Sequence, residues 1–203
     1  MKSGSINEKN VFDTIKEQDW CYHLCEVGCL QMTDFRGAVV SPDGVGMVFL
    51  PNRNEEEDDP VIASIEIKTR FDKLKLAKLW DIQQTQGTNY IQCKVGDSTW
   101  WKVVPPENRA QVVHQAMVTG LDHVLFVSAD KGGIILACIV DVTADQKAIF
   151  KKALQKFKPL MDWFHDSIES NDKPPEPHKA FKSKYKYLCE THTRVSQAFH
   201  KLI

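Results

Sequence analysis

The stretch VIASIEIKT, residues 61–69, is the part of the sequence from which the fold is best interpreted. It mixes apolar and polar side chains at a length that predicts a β-strand. Glu66 and Lys68 are two residues apart, so on a strand their side chains point to the same face. Their neighbours Ile65 and Ile67 are apolar. Because a carboxylate and an amine are costly to bury unless something pairs them, the stretch predicts a polar site within a sheet.

A turn upstream supplies a second carboxylate. Ser41-Pro42-Asp43-Gly44 has the composition of a tight turn, and the segments on either side of it predict two strands. Two carboxylates that converge from neighbouring strands suit a hard divalent cation such as Mg²⁺. A lysine beside such an ion can act on its water and on phosphate charge, which favours phosphodiester hydrolysis. The alternative is a Glu–Lys pair without chemistry on a half-exposed edge strand.

The rest of the pattern predicts an α/β protein in which helices flank a central mixed sheet. We expect helices over 6–18, 71–84, 107–119 and from 144 onward, and strands within 20–50 and over 61–69, 124–127 and 134–140. Residues 90–104 give no clear prediction. Residues 1–170 are expected to form the core. Residues 171–203 are expected to form a linker containing Pro174, Pro175 and Pro177, followed by a C-terminal helix.

Composition places the chain among globular proteins. Of its 203 residues, 42% are hydrophobic and 26% charged, which excludes disordered, collagen-like and disulfide-scaffold classes as descriptions of the whole chain. The longest apolar run, residues 134–140, is too short to cross a membrane. The residues after Met1 do not predict a signal peptide, and six cysteines without one indicate reduced thiols. We therefore expect an intracellular protein, cytoplasmic or nuclear. A complete chain and a fragment of a longer protein both remain open.

Charge is distributed unevenly along the chain. Residues 151–203 carry eleven Lys/Arg and six Asp/Glu, whereas the net charge of the chain is −1, so the part before residue 151 is acidic. This distribution suits a protein that holds cations at its centre and a polyanion at its edge. A solvated, lysine-rich helix is the alternative.

Three motifs together carry a resemblance to a known family. Ser41-Pro42-Asp43-Gly44, Ile65-Glu66-Ile67-Lys68 and Arg109-Ala110-Gln111-Val112 resemble motifs of the PD-(D/E)XK nuclease superfamily. More narrowly, they resemble the bacteriophage lambda exonuclease and YqaJ-type recombinase family. Members of that family carry a Ser-Pro-Asp-Gly turn, a Glu-X-Lys strand and an Ala-Gln-Val helix in this order. The resemblance covers about residues 4–170.

The resemblance implies a fold and an activity. The fold is a restriction-endonuclease-like core with a C-terminal helical extension. The activity is that of a Mg²⁺- or Mn²⁺-dependent deoxyribonuclease that digests linear double-stranded DNA, 5′ to 3′, in recombination, repair or DNA processing. A ring-shaped homotrimer and a single-strand annealing protein partner are also implied, with a monomer as the alternative to the trimer. A structure- or sequence-selective endonuclease and a non-catalytic nucleic-acid-binding or assembly module are the alternative functions.

By the same resemblance, each site residue has a role. Asp43 and Glu66 bind the metal with the backbone carbonyl of Ile67, and Lys68 acts on the attacking water. The remaining residues support them: Gln111 from its helix, Glu8 near a second metal or its waters, and Ser41 at a substrate phosphate.

Other residues have competing interpretations. Cys21, Cys25 and Cys29 with His23 could hold zinc in an interaction domain, although their spacing favours strand thiols. Trp100-Trp101 could stack on a base, but adjacent tryptophans are more typical of a core. His114 is expected to be structural. Gln115 shares the Gln111 face and is a weaker candidate to support the site.

Overall fold

The computed structural model describes residues 2–35, 37–51, 59–69, 73–130, 133–156 and 158. In chain order, these residues form helix α1 (Lys2–Lys16), strands β1 (Cys21–Cys25), β2 (Leu30–Gln31), β3 (Val39–Val40), β4 (Gly44–Val48) and β5 (Val61–Thr69), helix α2 (Lys73–Gln86), strand β6 (Tyr90–Lys94), helices α3 (Ser98–Val103) and α4 (Pro106–Thr119), strands β7 (His123–Asp130) and β8 (Gly133–Asp141), and helix α5 (Ala144–Gln155).

Six of the strands form one mixed sheet in the order β1-β4-β5-β7-β8-β6. Strand β4 pairs antiparallel with both β1 and β5, and β5 pairs in parallel with β7. Strand β8 pairs antiparallel with β7 and in parallel with β6. Parallel pairing requires a long crossover between the two strands, and α2 to α4 lie within the crossover from β5 to β7. A separate two-stranded sheet pairs β2 with β3. Strand β5 therefore occupies an interior position, with a partner on each side.

Helices cover both faces of the six-stranded sheet. Alternate residues of β7 belong to two different apolar clusters, because successive side chains of a strand point to opposite faces. Leu125 and Val127 pack with α1, whereas Val124 and Phe126 pack with residues of α2 to α5. The fold is thus a mixed α/β fold with a central mixed sheet flanked by helices, as the sequence pattern predicted.

Most of the predicted elements lie where the pattern placed them. The strand over 61–69 has the predicted bounds, and α4 ends before Gly120, which adopts the left-handed conformation at φ 75°. Thr143 and Gln146 form the reciprocal cap of α5. The first helix begins at Lys2, earlier than predicted, and α2 is displaced two residues toward the C-terminus.

Residues 90–104, which gave no clear prediction, divide into β6 and α3. The division occurs at Asp97, whose side chain accepts a hydrogen bond from the Trp100 N–H and so caps α3. The predicted linker and C-terminal helix over 171–203 lie outside the described residues, as does the end of the predicted core.

Close backbone contact between β1 and β4 requires glycine at Gly46. A Cβ atom placed on Gly46 would lie 2.5 Å from the carbonyl oxygen of His23, a backbone atom that cannot move away alone. Gly46→Ala should therefore lower the free energy of unfolding by about 1–3 kcal/mol, the usual cost of overpacking. Thermal or urea unfolding measures this change.

Gly28→Ala is the matched control, because a Cβ atom at Gly28 would meet nothing within 4 Å. It should change the free energy of unfolding little. Equal stability of the wild type and Gly46→Ala would contradict the contact between β1 and β4 described above.

Candidate active site

Glu66 is a carboxylate buried in the middle of the sheet. Its side chain lies on the face covered by α4, beside Phe126 in the parallel register of β5 and β7, and the residue is only 2% exposed. Its Oε1 accepts a hydrogen bond of 2.7 Å from Gln111 Nε2 and forms an ion pair with Lys68 Nζ. Its Oε2 is buried and has no hydrogen-bond partner among the described residues. One carboxylate oxygen therefore has no partner within the part of the chain that the structure describes, and it can bind a ligand.

Asp43 lies next to Glu66 because β4 pairs with β5. Gly44 pairs with Ile65, which places the residue before Gly44 beside the residue after Ile65. The Asp43 N–H donates to the carbonyl oxygen of Ile65 at 3.0 Å, and its Oδ2 accepts the N–H of Ile67 at 2.6 Å. Both the backbone and the side chain of Asp43 are thus held by β5.

Lys68 lies two residues beyond Glu66 on the same face of β5. Its side chain is 30% exposed, whereas that of Glu66 is 3% exposed, so the amine lies between the buried carboxylate and solvent. The positive charge of Lys68 lowers the pKa of both Asp43 and Glu66. The carboxylate site, by which we mean Asp43, Glu66, Lys68 and Gln111, therefore combines two anions, one cation and one neutral amide.

The pKa values of the two carboxyls are raised in spite of Lys68. Burial is the largest cause for Glu66, and the negative charge of Asp43 raises it further, against the opposing effects of Lys68 and Gln111. Burial also raises the pKa of Asp43, opposed by the Ile67 N–H and by Lys68. Among the described residues, the positive charge of Lys68 does not fully offset the burial of the two carboxylates, and a bound cation would add to it.

Helix α4 supports the site through two amides one turn apart. Gln111 lies on the exposed rim of the helix and reaches Glu66. Gln115 is 1% exposed, and its Nε2 donates to the carbonyl oxygen of Ile65 at 3.1 Å. Residues four apart share one face of a helix, so both amides point to β5.

A cleft of about 210 Å³ adjoins the carboxylate site on the α1 side. It is lined by Glu8, Lys9, Phe12, Glu26, Val27, Asp43 and Ile67. Asp43 belongs to both the cleft and the carboxylate site, whereas Glu66, Lys68 and Gln111 do not line the cleft. Glu8 therefore shares a cleft with Asp43 but is separate from the group around Glu66. Ser41 is exposed, two residues before Asp43.

Glu26 and Lys9 are charged residues of this cleft that the sequence analysis did not single out. Glu26 directly follows β1, and the pairing of Cys25 with Val45 brings it to the sheet end where Asp43 lies. The available signal for Glu26 was an acidic residue at the end of a predicted strand. The sequence does not reveal the register of β1 and β4, so it could not place Glu26 beside Asp43.

The donor atoms of the carboxylate site fit Mg²⁺ or Mn²⁺. Magnesium commonly takes one or two protein carboxylates and completes its shell with water and substrate phosphate oxygens. Asp43 and the unpartnered Oε2 of Glu66 provide such a set. Within the described residues, no group of three or more His, Cys, Asp or Glu side chains gathers as a metal site. Cys21, Cys25 and Cys29 therefore do not form the zinc site considered above.

The other residues with competing interpretations pack within the protein. Trp100 is fully buried, and the guanidinium of Arg109 lies over Trp101 at 4.3 Å from the ring centre. His114 packs against Phe150, with ring centres 5.8 Å apart, and burial lowers its pKa. These contacts give the two tryptophans and the histidine structural roles.

Neither a protein-family model nor a curated protein matches the chain. Among the described residues, no helix is long and apolar enough to cross a membrane.

The raised pKa of Glu66 predicts how Glu66→Gln changes stability. A raised folded-state pKa means that folding favours the protonated carboxyl. The contribution of the Glu66 carboxyl to stability is complete below its pKa in the unfolded chain, which is about 4.3. This contribution is lost as the pH rises through the pKa of Glu66 in the folded protein. Metal-free Glu66→Gln, which stays neutral, should therefore unfold at a higher temperature than the wild type at pH 7. This advantage should shrink as the pH falls to about 4.

Thermal unfolding in chelator, followed by circular dichroism across this pH range, measures the difference. Glu17→Gln, at an exposed position after α1, is the matched control and should follow the wild type at each pH. A Glu66→Gln variant that is less stable than the wild type at pH 7 would show that the Lys68 and Gln111 contacts outweigh the cost of burial.

Proposed function

We propose that the chain is a metal-dependent deoxyribonuclease with a PD-(D/E)XK, restriction-endonuclease-like core, of the lambda exonuclease and YqaJ type. The observation that carries the proposal is the buried Glu66 carboxylate, which has Asp43 and Lys68 beside it. One of its oxygens has no partner among the residues that the structure describes. A purely structural Glu–Lys pair has no need of a second, partly buried carboxylate at the same place. That arrangement raises the pKa of Glu66 and costs folding energy.

The position of the site within the fold supports the same function. Strand β5, which carries Glu66 and Lys68, lies between an antiparallel partner and a parallel partner in a sheet covered on both faces. Its backbone is therefore rigid, while the side chain of Lys68 remains partly accessible. A catalytic site requires side chains held firmly beside a surface that substrate can reach.

Asp43, Glu66 and the backbone carbonyl of Ile67 would hold Mg²⁺ or Mn²⁺. When bound, such an ion neutralises charge on the scissile phosphate and lowers the pKa of a coordinated water. Gln111 uses one oxygen of Glu66 and thereby orients the other oxygen. The hydrogen bond from the Ile67 N–H to Asp43 fixes the second carboxylate in the same way.

Lys68 is the residue that handles protons. Its amine can hold the attacking water in line with the phosphate, accept or relay its proton, and balance the charge that develops on the phosphate oxygens. In the described structure the amine is paired with Glu66, so it already lies beside the carboxylate that would hold the ion.

Glu8, in the cleft that Asp43 also lines, is placed to contact further waters or a second cation. Ser41, exposed before Asp43, is placed to contact a substrate phosphate.

The substrate that we propose is linear double-stranded DNA, digested from 5′ to 3′. The end preference, the homotrimer and the single-strand annealing partner depend on the family resemblance alone. The basic composition of residues 151–203 supports binding of a polyanion. The carboxylate site supports hydrolysis over mere binding, because a module that only binds DNA gains nothing from two adjacent carboxylates, which repel phosphate.

Digestion of DNA tests the proposed function. Linear duplex DNA should disappear with Mg²⁺ and remain intact with chelator, whereas covalently closed DNA should survive in both. Loss of both forms would replace the exonuclease with an endonuclease. Survival of both in Mg²⁺ and in Mn²⁺ would contradict hydrolysis altogether.

Variants in the same assay test the residue roles. Lys68→Ala should lower the cleavage rate by about 100-fold or more, because it removes a general base or acid but no metal ligand. Its Mn²⁺ affinity, measured by calorimetry, should stay close to that of the wild type. Glu66→Ala should lose both cleavage and Mn²⁺ binding. Lys102→Ala, at an exposed position on α3, is the matched lysine control and should retain both.

A further inference from the structure

Gln115 is a buried polar residue of α4 that lies next to apolar residues. It is 1% exposed, and its neighbours Val112, Val113 and Ala116 are fully buried apolar residues. A buried amide is unfavourable unless its groups find partners, so a leucine or methionine would fill this space at less cost. The Nε2 group of Gln115 donates a hydrogen bond of 3.1 Å to the backbone carbonyl oxygen of Ile65.

The carbonyl oxygen of Ile65 receives a second donor. The N–H of Asp43 donates to it at 3.0 Å, so both lone pairs of this oxygen are used. The amide of Gln115 and the backbone of Asp43 thus meet at one atom. The carboxylate of Asp43 in turn accepts a hydrogen bond from the N–H of Ile67.

We propose that Gln115 is a positioning residue of the carboxylate site that acts on Asp43 through the carbonyl of Ile65. Gln111, one turn earlier on the same helix, acts on Glu66 directly. Helix α4 therefore sets the positions of both carboxylates relative to each other, one through each amide. The consequence for metal binding rests on the proposed function, whereas the effect on the Asp43 backbone does not.

The first test uses the metal-free protein and amide hydrogen exchange. Gln115→Met keeps the size of the side chain and removes the donor to Ile65. The Asp43 amide should then exchange about tenfold faster than in the wild type, because its acceptor is no longer fixed. The Val48 amide, on β4 at the other end of its pairing with β5, should exchange as before. An unchanged Asp43 rate would overturn the proposal.

The second test measures Mn²⁺ affinity and cleavage. Partners that orient metal ligands commonly change metal affinity or activity by 10- to 100-fold. Gln115→Met should therefore weaken Mn²⁺ binding about tenfold and lower kcat while leaving KM for DNA nearly unchanged. Val113→Ala, a destabilising core substitution on the same helix, is the control for a merely structural effect and should keep the wild-type Mn²⁺ affinity.

A double-mutant cycle identifies the path of the effect. Combined with Asp43→Asn, Gln115→Met should add little further loss of Mn²⁺ affinity, because both changes act at Asp43. Combined with Glu66→Gln, its effect should be additive. The reverse pattern would place Gln115 with Glu66 and contradict the proposal. If the wild type binds no Mn²⁺, the proposed function fails, and hydrogen exchange alone decides the role of Gln115.

Discussion

The carboxylate site depends on the burial of one carboxylate, Glu66, in the middle of a β-sheet. An ionised group at this depth is tolerated only if its neighbours compensate for the lost water. Lys68 and Gln111 both contact the same oxygen of Glu66, and the other oxygen is buried without a partner among the described residues. The second carboxylate, Asp43, increases the cost because its charge raises the pKa of Glu66. The arrangement is therefore most favourable with a cation present, which links the packing of β5 to the function proposed for the protein.

The sequence was sufficient to predict the strands and helices that depend on local patterns. The apolar runs of β7 and β8 and the pattern of β5 around Glu66 are local signals, and each lies where it was predicted. The β6–α3 segment was ambiguous because its short strand and short helix follow within a few residues of each other. The capping hydrogen bond of Asp97 separates the two, and no periodicity reveals it.

For the site, the motifs identified the residue types but not all of the contacts. The chain order brings Asp43, Glu66, Lys68 and Gln111 together, because β4 and α4 both pack on β5. The sequence indicated Gln115 as a weaker candidate to support the site. Its contact could not be predicted, since its partner is a backbone carbonyl that no side-chain pattern can indicate.

The most direct measurement of the central claim is the position of a metal ion in crystals grown with Mn²⁺. Anomalous diffraction identifies the ion independently of water and of magnesium. The account predicts a peak between Asp43 and Glu66, with oxygens of both carboxylates at about 2.0–2.6 Å from it. A peak elsewhere, or carboxylates that point apart around no ion at saturating Mn²⁺, would contradict the account.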